Sequence, residues 1–247
     1  MHRFSNTSEA YLEVLRDVLT NADFRSSPRG KAIREKLHYQ FTVENPSSEP
    51  IVTRSPERNE VIARYTKAEF DVYAKGLTSV DDFGKISKFW LQLGNPDGTI
   101  NSSYGHLIFF SKSCGEPRYE SEGGNPVMRT PWEWARLSLL NDPDTRQAII
   151  KFHKHEHLWV GNKDQTCTVY GNFLLREDRL HLIVHMRSND VVKGLVYDMP
   201  WFCYLIERMV SELRQKYPNL KVGSYTHIAD SFHVYDTDAD KALAMTS

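Results

Sequence analysis

Three short segments carry the side chains that could do chemistry in this sequence. Cys167 lies in the run DQTCTVYGNF, and Arg187 and Ser188 begin the polar run RSND. A thiol is a strong nucleophile when nearby positive charge stabilises its thiolate, and an arginine beside a hydroxyl suits a phosphate. His233 and Tyr235 are two residues apart in SFHVYD, and both side chains can bond a sugar hydroxyl.

Each segment also has a purely structural interpretation, and the residues alone leave both interpretations open. A cysteine in a strand is more often an inert small hydrophobe. The run RSND can be a plain turn after the apolar run LIVHM, because Asn and Asp favour turns. His233 and Tyr235 would share one face of a strand as a half-buried polar pair. Glu69 and Asp71 are two apart in AEFDVY, which favours a solvated helix face over a paired-carboxylate site.

A row of alternating histidines in KFHKHEHLW is a further candidate site. In a strand His153, His155 and His157 would share one face, as metal ligands can. No cysteine or carboxylate set accompanies them, so a solvated edge strand is favoured and no metal is expected. Phosphate loops of the Walker or dinucleotide type and the G-x-S-x-G motif are also missing from the sequence.

Composition and charge restrict the class of protein. The 247 residues include 31 Lys+Arg against 32 Asp+Glu and are 40% hydrophobic, which is typical of an ordinary globular chain. Without a basic footprint we expect no direct nucleic-acid partner. No apolar run approaches the ~20 residues of a membrane-spanning helix, and MHRFSNTSEA contains no signal-peptide core. Three cysteines without a C-x-x-C pair favour a reducing cytoplasm.

The elements that position these side chains mix helices and strands without strict alternation, which predicts one α+β domain over residues 1–247. Helical spacing and strand alternation define the elements. The predicted helices cover 8–19, 60–76, 131–140 and 199–216, and the predicted strands cover 36–43, 147–153, 166–176, 179–186, 222–228 and 231–235. Polar residues predict a loop over 21–31 and a flexible insertion over 110–130, and HLIFF predicts a strand or a buried helical turn.

In chain order the motifs resemble the thymidylate synthase superfamily, and within it the phage-type deoxycytidylate hydroxymethylases. The resemblance covers residues 8–236 and is carried by SPRG, AEFDVY, KFW, INSSYG, NDPDTR, QTC, MRSNDVVKG and FHVY. It implies a thymidylate synthase-type α+β fold, in which a mixed sheet is flanked by helices and two copies form a dimer through the sheet.

The resemblance implies a catalytic group and a folate co-substrate. Cys167 would add to C6 of a pyrimidine, Tyr104 would assist proton removal at C5, and Glu69 would organise water and proton transfers. Asp198 would read the base. The co-substrate would be 5,10-methylenetetrahydrofolate, and the implied cofactor-binding residues are Asp190, Trp90 and Glu69.

The resemblance also implies how a nucleoside monophosphate is held. Arginines and a serine would bind the phosphate, and a His–Tyr pair would hold the sugar hydroxyl. Arg146 would reach the phosphate site of the neighbouring subunit, which implies an obligate homodimer. The implied substrate-binding residues are Arg29, Arg146, Arg187, Ser188, Asp198, His233 and Tyr235.

Asp198 bears on the identity of the base. Members of the superfamily that take deoxyuridylate have Asn eleven residues after the RS arginine, and here that position is Asp198. A carboxyl group can accept from the 4-amino group of cytosine and, when protonated, can donate to N3. A desolvated pocket favours such a neutral carboxyl. The resemblance therefore implies dCMP or CMP as substrate and 5-hydroxymethyl-dCMP as product.

Three other functions stay open: a CMP 5-hydroxymethylase of nucleoside-antibiotic biosynthesis, a thymidylate synthase-like dUMP methylase, and a non-catalytic nucleotide-binding homologue. The chain departs from the family pattern at Gln147, where a second arginine is common, at Asn172, where Gln is usual, and at Thr168, where the synthases have His. The short segment after Tyr235 predicts a missing or shortened C-terminal lid. We expect a cytoplasmic protein, in the host cytoplasm if it is phage-encoded.

Overall fold

The computed structural model describes residues 2–112, 121–122 and 125–247. Residues 113–120 and 123–124 of the predicted insertion over 110–130, Cys114 among them, therefore lie outside the described residues. The chain divides into two compact units, one formed by the residues up to Lys67 together with Glu177–Ser247, the other by Ala68–Arg176. Within the described ranges, no helix is long and apolar enough to cross a membrane.

The helices begin where polar side chains satisfy the first backbone N–H groups. The Asn6 side chain accepts from the backbone N of Glu9 at the start of the first helix, and Thr130 and Glu133 form a reciprocal capping box at the fourth. The α-helices of the described residues are α1 (Thr7–Thr20), α2 (Pro56–Ala74), α3 (Val80–Ile86), α4 (Pro131–Asn141), α5 (Val196–Leu213) and α6 (Ala239–Thr246).

The strands of the described residues are β1 (His2–Asn6), β2 (Phe24–Ser26), β3 (Ile33–Asn45), β4 (Ser121–Glu122), β5 (Asn125–Pro126), β6 (Ile149–Lys151), β7 (Thr168–Arg176), β8 (Arg179–Met186), β9 (Asn189–Asp190) and β10 (Lys221–Tyr235). In the first unit β3 is parallel to β1 and antiparallel to β10, which is parallel to β8. The short strands β2 and β9 pair with β3 and β10. In the second unit β6 and β7 are antiparallel.

The core of the first unit lies between the sheet and helices α1 and α5. Helix α5 buries apolar side chains at helical spacing, among them Phe202, Leu205 and Met209, each with 0% exposure. Tyr225 on β10 is equally buried and stacks on Phe202 with ring centroids 6.1 Å apart. Burying each large apolar side chain contributes roughly 1.5–3 kcal/mol, so this packing holds the first half of β10 against the middle of α5.

Most predicted elements occur within a few residues of their expected bounds, and β8 matches at both ends. The prediction of two strands over 222–228 and 231–235 is wrong, because β10 is continuous. Ala229 pairs with Tyr39 and Ser231 with Leu37, so ladder pairing carries the strand through the polar interruption. HLIFF forms a π-helical turn, and the predicted loop over 21–31 contains β2.

The strand assumed for the histidine row is also wrong. Strand β6 ends at Lys151, and His155–His157 form a 3-10 turn, so the three histidines do not share a strand face. Across the part of the chain that the structure describes, no group of three or more His, Cys, Asp or Glu side chains is placed to hold a metal ion.

Candidate active site

A polar cluster of the first unit, here called the Asp198 cluster, forms where β9 pairs with β10. The register places Asn189 opposite Phe232 and Asp190 opposite His233. After β9 a π-helical turn over Val191–Leu195 leads into α5. This turn brings Asp198, in the first turn of α5, back to Asn189, whose Nδ2 donates to Asp198 Oδ2 at 2.7 Å. π-Helical turns are frequent at functional sites.

Asp198 is half-buried, and its surroundings disfavour the charged carboxylate. Burial raises the pKa of Asp198 to about 6, and the negative charge of Asp190 acts in the same direction, whereas donation from Asn189 lowers it. Its Oδ1 atom makes no hydrogen bond to any described residue. Asp198 can therefore exchange a proton near neutral pH through an oxygen that is left for a ligand.

Asp190 and His233 form the second part of the Asp198 cluster. Asp190 Oδ1 accepts from the backbone N of Val192 at 2.8 Å and of Lys193 at 3.0 Å, which fixes the start of the π-helical turn. Burial raises the pKa of Asp190, although the neighbouring His233 acts to lower it. Burial has the opposite effect on the pKa of His233 and lowers it, because the imidazolium is the charged form. The Nδ1 atom of His233 is buried and finds no partner among the described residues.

The prediction that His233 and Tyr235 share a face of one strand is confirmed. Their rings meet edge to face, with centroids 5.3 Å apart and an interplanar angle of 88°. Lys193 Nζ lies 5.1 Å from the centroid of the Tyr235 ring and also pairs with the buried Asp238. Asp238 pairs with Lys241 as well, at 3.2 Å, so Tyr235 is held within a charged network.

The predicted phosphate ligands of the first unit differ in their placement. Arg187 and Ser188 are half-buried and lie between β8 and β9, directly before Asn189. Arg29 lies instead on an exposed 3-10 turn, with φ 52 and ψ 33, and makes no hydrogen bond or ion pair to a described residue. A non-glycine residue in this left-handed region is strained by roughly 1 kcal/mol. No hydrogen bond or ion pair therefore joins Arg29 to the Asp198 cluster.

In the second unit Cys167 precedes β7 and is half-buried. The next residue, Thr168, is completely buried and its Oγ1 donates to the Tyr104 hydroxyl at 2.9 Å. The Tyr104 ring packs edge to face on Phe152, with centroids 5.1 Å apart, and stacks on Tyr73. The structure therefore brings Tyr104 to the strand that begins beside the predicted nucleophile.

A buried hydrogen-bond network ties the segment before Cys167 to INSSYG. Asp164 is 5% exposed, and its two carboxylate oxygens accept from the backbone N of Ser102 at 2.9 Å and from Ser102 Oγ at 2.5 Å. Asn101 donates to Asn162 at 3.3 Å. These contacts explain physically why Tyr104, two residues after Ser102, lies next to Thr168. Sequence reasoning did not single out Asp164 or Ser102.

The other predicted residues of the second unit lie in different surroundings. Glu69 on α2 is 6% exposed, so the interpretation as a solvated helix face is wrong. Trp90 is 9% exposed and packs edge to face on Phe83, with ring centroids 4.8 Å apart. Arg146 is exposed and lines a cavity of about 490 Å³ formed by residues 142 and 144–147, which does not include Cys167.

Sequence reasoning also missed Asn189 and Gly194. Asn189 belongs to the RSND run, but no pattern predicts a bond to a residue nine positions later, because that contact depends on the π-helical turn. Gly194 gave no signal either. A Cβ atom at Gly194 would lie 2.9 Å from Asn189 Nδ2 and 3.1 Å from Asp198 Oδ2, so a bare α-carbon is needed beside this pair.

Comparison with known proteins gives a family match and several relatives. The thymidylate synthase family model matches residues 9–246. The deoxycytidylate 5-hydroxymethyltransferases of Enterobacteria phages T6 and T4 are each 30% identical over 178 residues, which cover 69% of this chain and 66% of the relative. The deoxyuridylate hydroxymethyltransferase of Bacillus phage SP01 is 27% identical over 256 residues, covering 96% of this chain and 60% of that protein. The chain thus spans just under two thirds of the length of these relatives.

A solved structure supports the fold independently. A thermostable thymidylate synthase A from Bacillus subtilis superposes with a TM-score of 0.69 at 20% sequence identity, covering 98% of this chain and 84% of that chain. This likeness establishes the fold alone, and it confirms the predicted α+β architecture of a mixed sheet flanked by helices.

Proposed function

The chain belongs to the thymidylate synthase family, and from that premise we propose that it transfers a one-carbon unit to C5 of dCMP and releases 5-hydroxymethyl-dCMP. Enzymes of this family are one-carbon transferases that use methylenetetrahydrofolate as co-substrate. The names of the phage relatives support a hydroxymethyl product, and Asp198 supports cytosine as the base.

The observation that carries the proposal is the placement of Asp198, which is half-buried and hydrogen-bonded to Asn189 through one oxygen. A carboxylate offers only acceptors, whereas a neutral carboxyl offers one donor and one acceptor. Because burial raises the pKa of Asp198 to about 6, the neutral form is accessible near neutral pH. Its two oxygens would then complement the N3 acceptor and the 4-amino donor of cytosine. A base that leaves these groups unpaired in a desolvated pocket is strongly disfavoured.

Cys167 is the proposed nucleophile. Its thiolate adds to C6 of the pyrimidine, which makes C5 electron-rich enough to form a new carbon–carbon bond, and the sulfur leaves C6 at the end, so the residue is regenerated. Methylenetetrahydrofolate would supply the one-carbon unit and leave as tetrahydrofolate, and water would add to the resulting exocyclic methylene. Tyr104, held by Thr168 at 2.9 Å, assists removal of the proton from C5. The buried carboxyl of Glu69 orients the water whose oxygen is kept in the product.

The remaining residues would hold the two substrates. Arg187, Ser188 and Arg29 bind the phosphate of the nucleotide, and His233 and Tyr235 bind its sugar hydroxyl. Arg146 would serve the site of the neighbouring subunit in a homodimer, a role to which its exposed position is suited.

Two residues fit the folate co-substrate chemically. Asp190 Oδ1 is engaged by backbone N–H groups, whereas Oδ2 makes no hydrogen bond to the described residues and can accept from a pterin N–H. Trp90 is proposed to line the folate site through its aromatic ring. The fit observed in this chain rests on the unused acceptor of Asp190.

Deoxyuridylate hydroxymethylation is the second candidate. The phage SP01 relative named for that reaction matches over 96% of this chain, a larger share than the deoxycytidylate enzymes match. The two candidate reactions differ only in the base. The base edge that Asp198 contacts therefore decides between them.

The test is to incubate the protein with methylenetetrahydrofolate and, separately, dCMP, CMP or dUMP, and to measure the mass of the nucleotide product. We expect dCMP to gain one CH2O. A gain of CH2O on dUMP alone would favour the second candidate, and a gain of CH2 would indicate a methylase. If no nucleotide is converted while dCMP still binds, and Cys167→Ala leaves that binding unchanged, the chain is a non-catalytic homologue.

A further inference from the structure

Among the described residues, Asn189 is the one side chain that makes a hydrogen bond to the carboxyl group of Asp198. It is 3% exposed, and its Nδ2 donates to Asp198 Oδ2 at 2.7 Å. Its own Oδ1 is buried without a partner among the described residues. Turning the amide would put an NH2 group, with two donors, where that single acceptor now lies, at a larger desolvation cost. The amide therefore donates to Asp198 rather than accepting from it.

The direction of this hydrogen bond matters because a neutral carboxyl alone does not distinguish cytosine from uracil. Cytosine presents an amino donor at position 4 and an acceptor at N3. Uracil presents the reverse, an acceptor at O4 and a donor at N3–H. A carboxyl group whose proton can occupy either oxygen complements both edges equally, because moving the proton exchanges its donor and its acceptor. Discrimination requires that one oxygen be fixed as the acceptor.

We propose that Asn189 is the specificity-determining partner of Asp198: by donating to Oδ2 it keeps that oxygen an acceptor, so the proton of the neutral carboxyl resides on Oδ1. Oδ1 makes no hydrogen bond to a described residue, which leaves its proton for N3 of the base. Oδ2 then faces the 4-amino group of cytosine, and the O4 atom of uracil would meet an acceptor instead. The inference rests on the proposed function and deepens it. Asn189 acts through Asp198, as a positioning residue.

The backbone approaches this hydrogen-bonded pair closely. The register of β9 on β10 fixes the direction of Asn189, and Gly194 in the π-helical turn lies against both bonded atoms. A Cβ atom at Gly194 would come within 2.9 Å of Asn189 Nδ2 and 3.1 Å of Asp198 Oδ2. The glycine therefore lets the turn pass close to the hydrogen bond without a side chain pressing on either bonded atom.

The test uses Asn189→Leu, which removes the donor in a side chain of similar shape, and Asn189→Asp, which keeps the shape and, when ionised, offers only acceptors. The matched control is Asn45→Asp, since Asn45 is exposed and donates to the backbone O of Ser5 at 3.1 Å, away from the Asp198 cluster. For each protein, kcat/KM for dCMP and dUMP is measured from pH 5 to pH 9, and the Kd of each nucleotide is measured in parallel.

We expect the wild type to prefer dCMP and both Asn189 variants to lose at least tenfold of that preference. The pH at which dCMP use falls should also rise by about one unit in Asn189→Leu, because a donor to the carboxylate is gone. Asn45→Asp should match the wild type in both respects. Wild-type preference and pH dependence in both Asn189 variants would overturn the inference.

The proposed function and this inference fail in different ways. If the wild type binds dCMP without converting it, the proposed reaction is wrong, and the ratio of the two dissociation constants in the Asn189 variants still decides the inference. If the wild type binds neither nucleotide, both are overturned.

Discussion

Replacing Asp198 by Asn should stabilise the folded protein at neutral pH and have little effect at acidic pH. Burial raises the pKa of Asp198 from 3.8 to about 6, so the native state binds this proton more tightly than the unfolded chain does. Its contribution to stability is fully present below about pH 3.8 and is lost as the pH rises through about 6. Above that range, folding must carry an ionised carboxylate in unfavourable surroundings.

The magnitude follows from the size of the shift. About two pKa units, at about 1.4 kcal/mol each, give a cost of about 3 kcal/mol at pH 7.5. An Asn at position 198 is never charged and has nearly the same shape, and its amide oxygen can still accept from Asn189. The variant should therefore gain up to about 3 kcal/mol in free energy of unfolding at pH 7.5 and close to nothing at pH 4.

Urea unfolding at pH 4 and pH 7.5, followed by circular dichroism, measures the difference. Asp71→Asn is the matched control, because Asp71 is exposed on α2 and the same change of charge there should leave the free energy of unfolding unchanged within about 0.5 kcal/mol. The reasoning is refuted if Asp198→Asn destabilises the protein at pH 7.5, or if its effect is the same at both pH values. Loss of dCMP turnover in a more stable variant would show that the carboxyl is kept for its chemistry.

Three other substitutions test separate parts of the structure. Cys167→Ser should reduce turnover below detection while leaving the circular dichroism spectrum and nucleotide binding unchanged, since the thiolate is lost and its surroundings are not. Thr168→Val removes the partner of the Tyr104 hydroxyl and should lower both kcat by about tenfold and stability by roughly 1 kcal/mol, whereas Thr168→Ser should restore both. Burial lowers the pKa of His227 to about 3, so its stabilising contribution is present above pH 6.5 and is lost as the pH falls toward 3; His227→Gln should therefore lose less stability than the wild type between pH 7 and pH 4 in urea unfolding.

The sequence predicts those elements whose side chains alternate or repeat along the chain itself. The bounds of β8 follow from alternation in RLHLIVHM, and α5 follows from its apolar repeat. The continuity of β10 could not be predicted, because Asp230 and Ser231 break the apolar pattern. The strand persists there only because β3 supplies partners from a distant part of the chain.

The same difference between local sequence pattern and contacts with distant residues applies to the candidate site. His233 and Tyr235 could be placed on one face from their spacing alone, and their rings are in contact. The burial of Glu69 could not be predicted from α2, because residue spacing does not say which polar face of a helix another segment covers. The bond between Asn189 and Asp198 could not be predicted either, since a π-helical turn shifts the helical phase by one residue relative to an α-helix.

Several unfavourable local features of the first unit lie in the stretch from Asn189 to Asp198. It holds a buried amide oxygen without a partner among the described residues, two carboxyl groups whose pKa values are raised by burial, a glycine with no room for a side chain, and a π-helical turn. Each of these features lowers stability, and a plain turn between β9 and α5 would avoid all of them. In this chain the π-helical turn brings a donor amide and a buried carboxyl together within ten residues and leaves Asp198 Oδ1 unbonded among the described residues. This loss of stability is explained if the arrangement of Asn189 and Asp198 is needed for function rather than for the stability of the sheet.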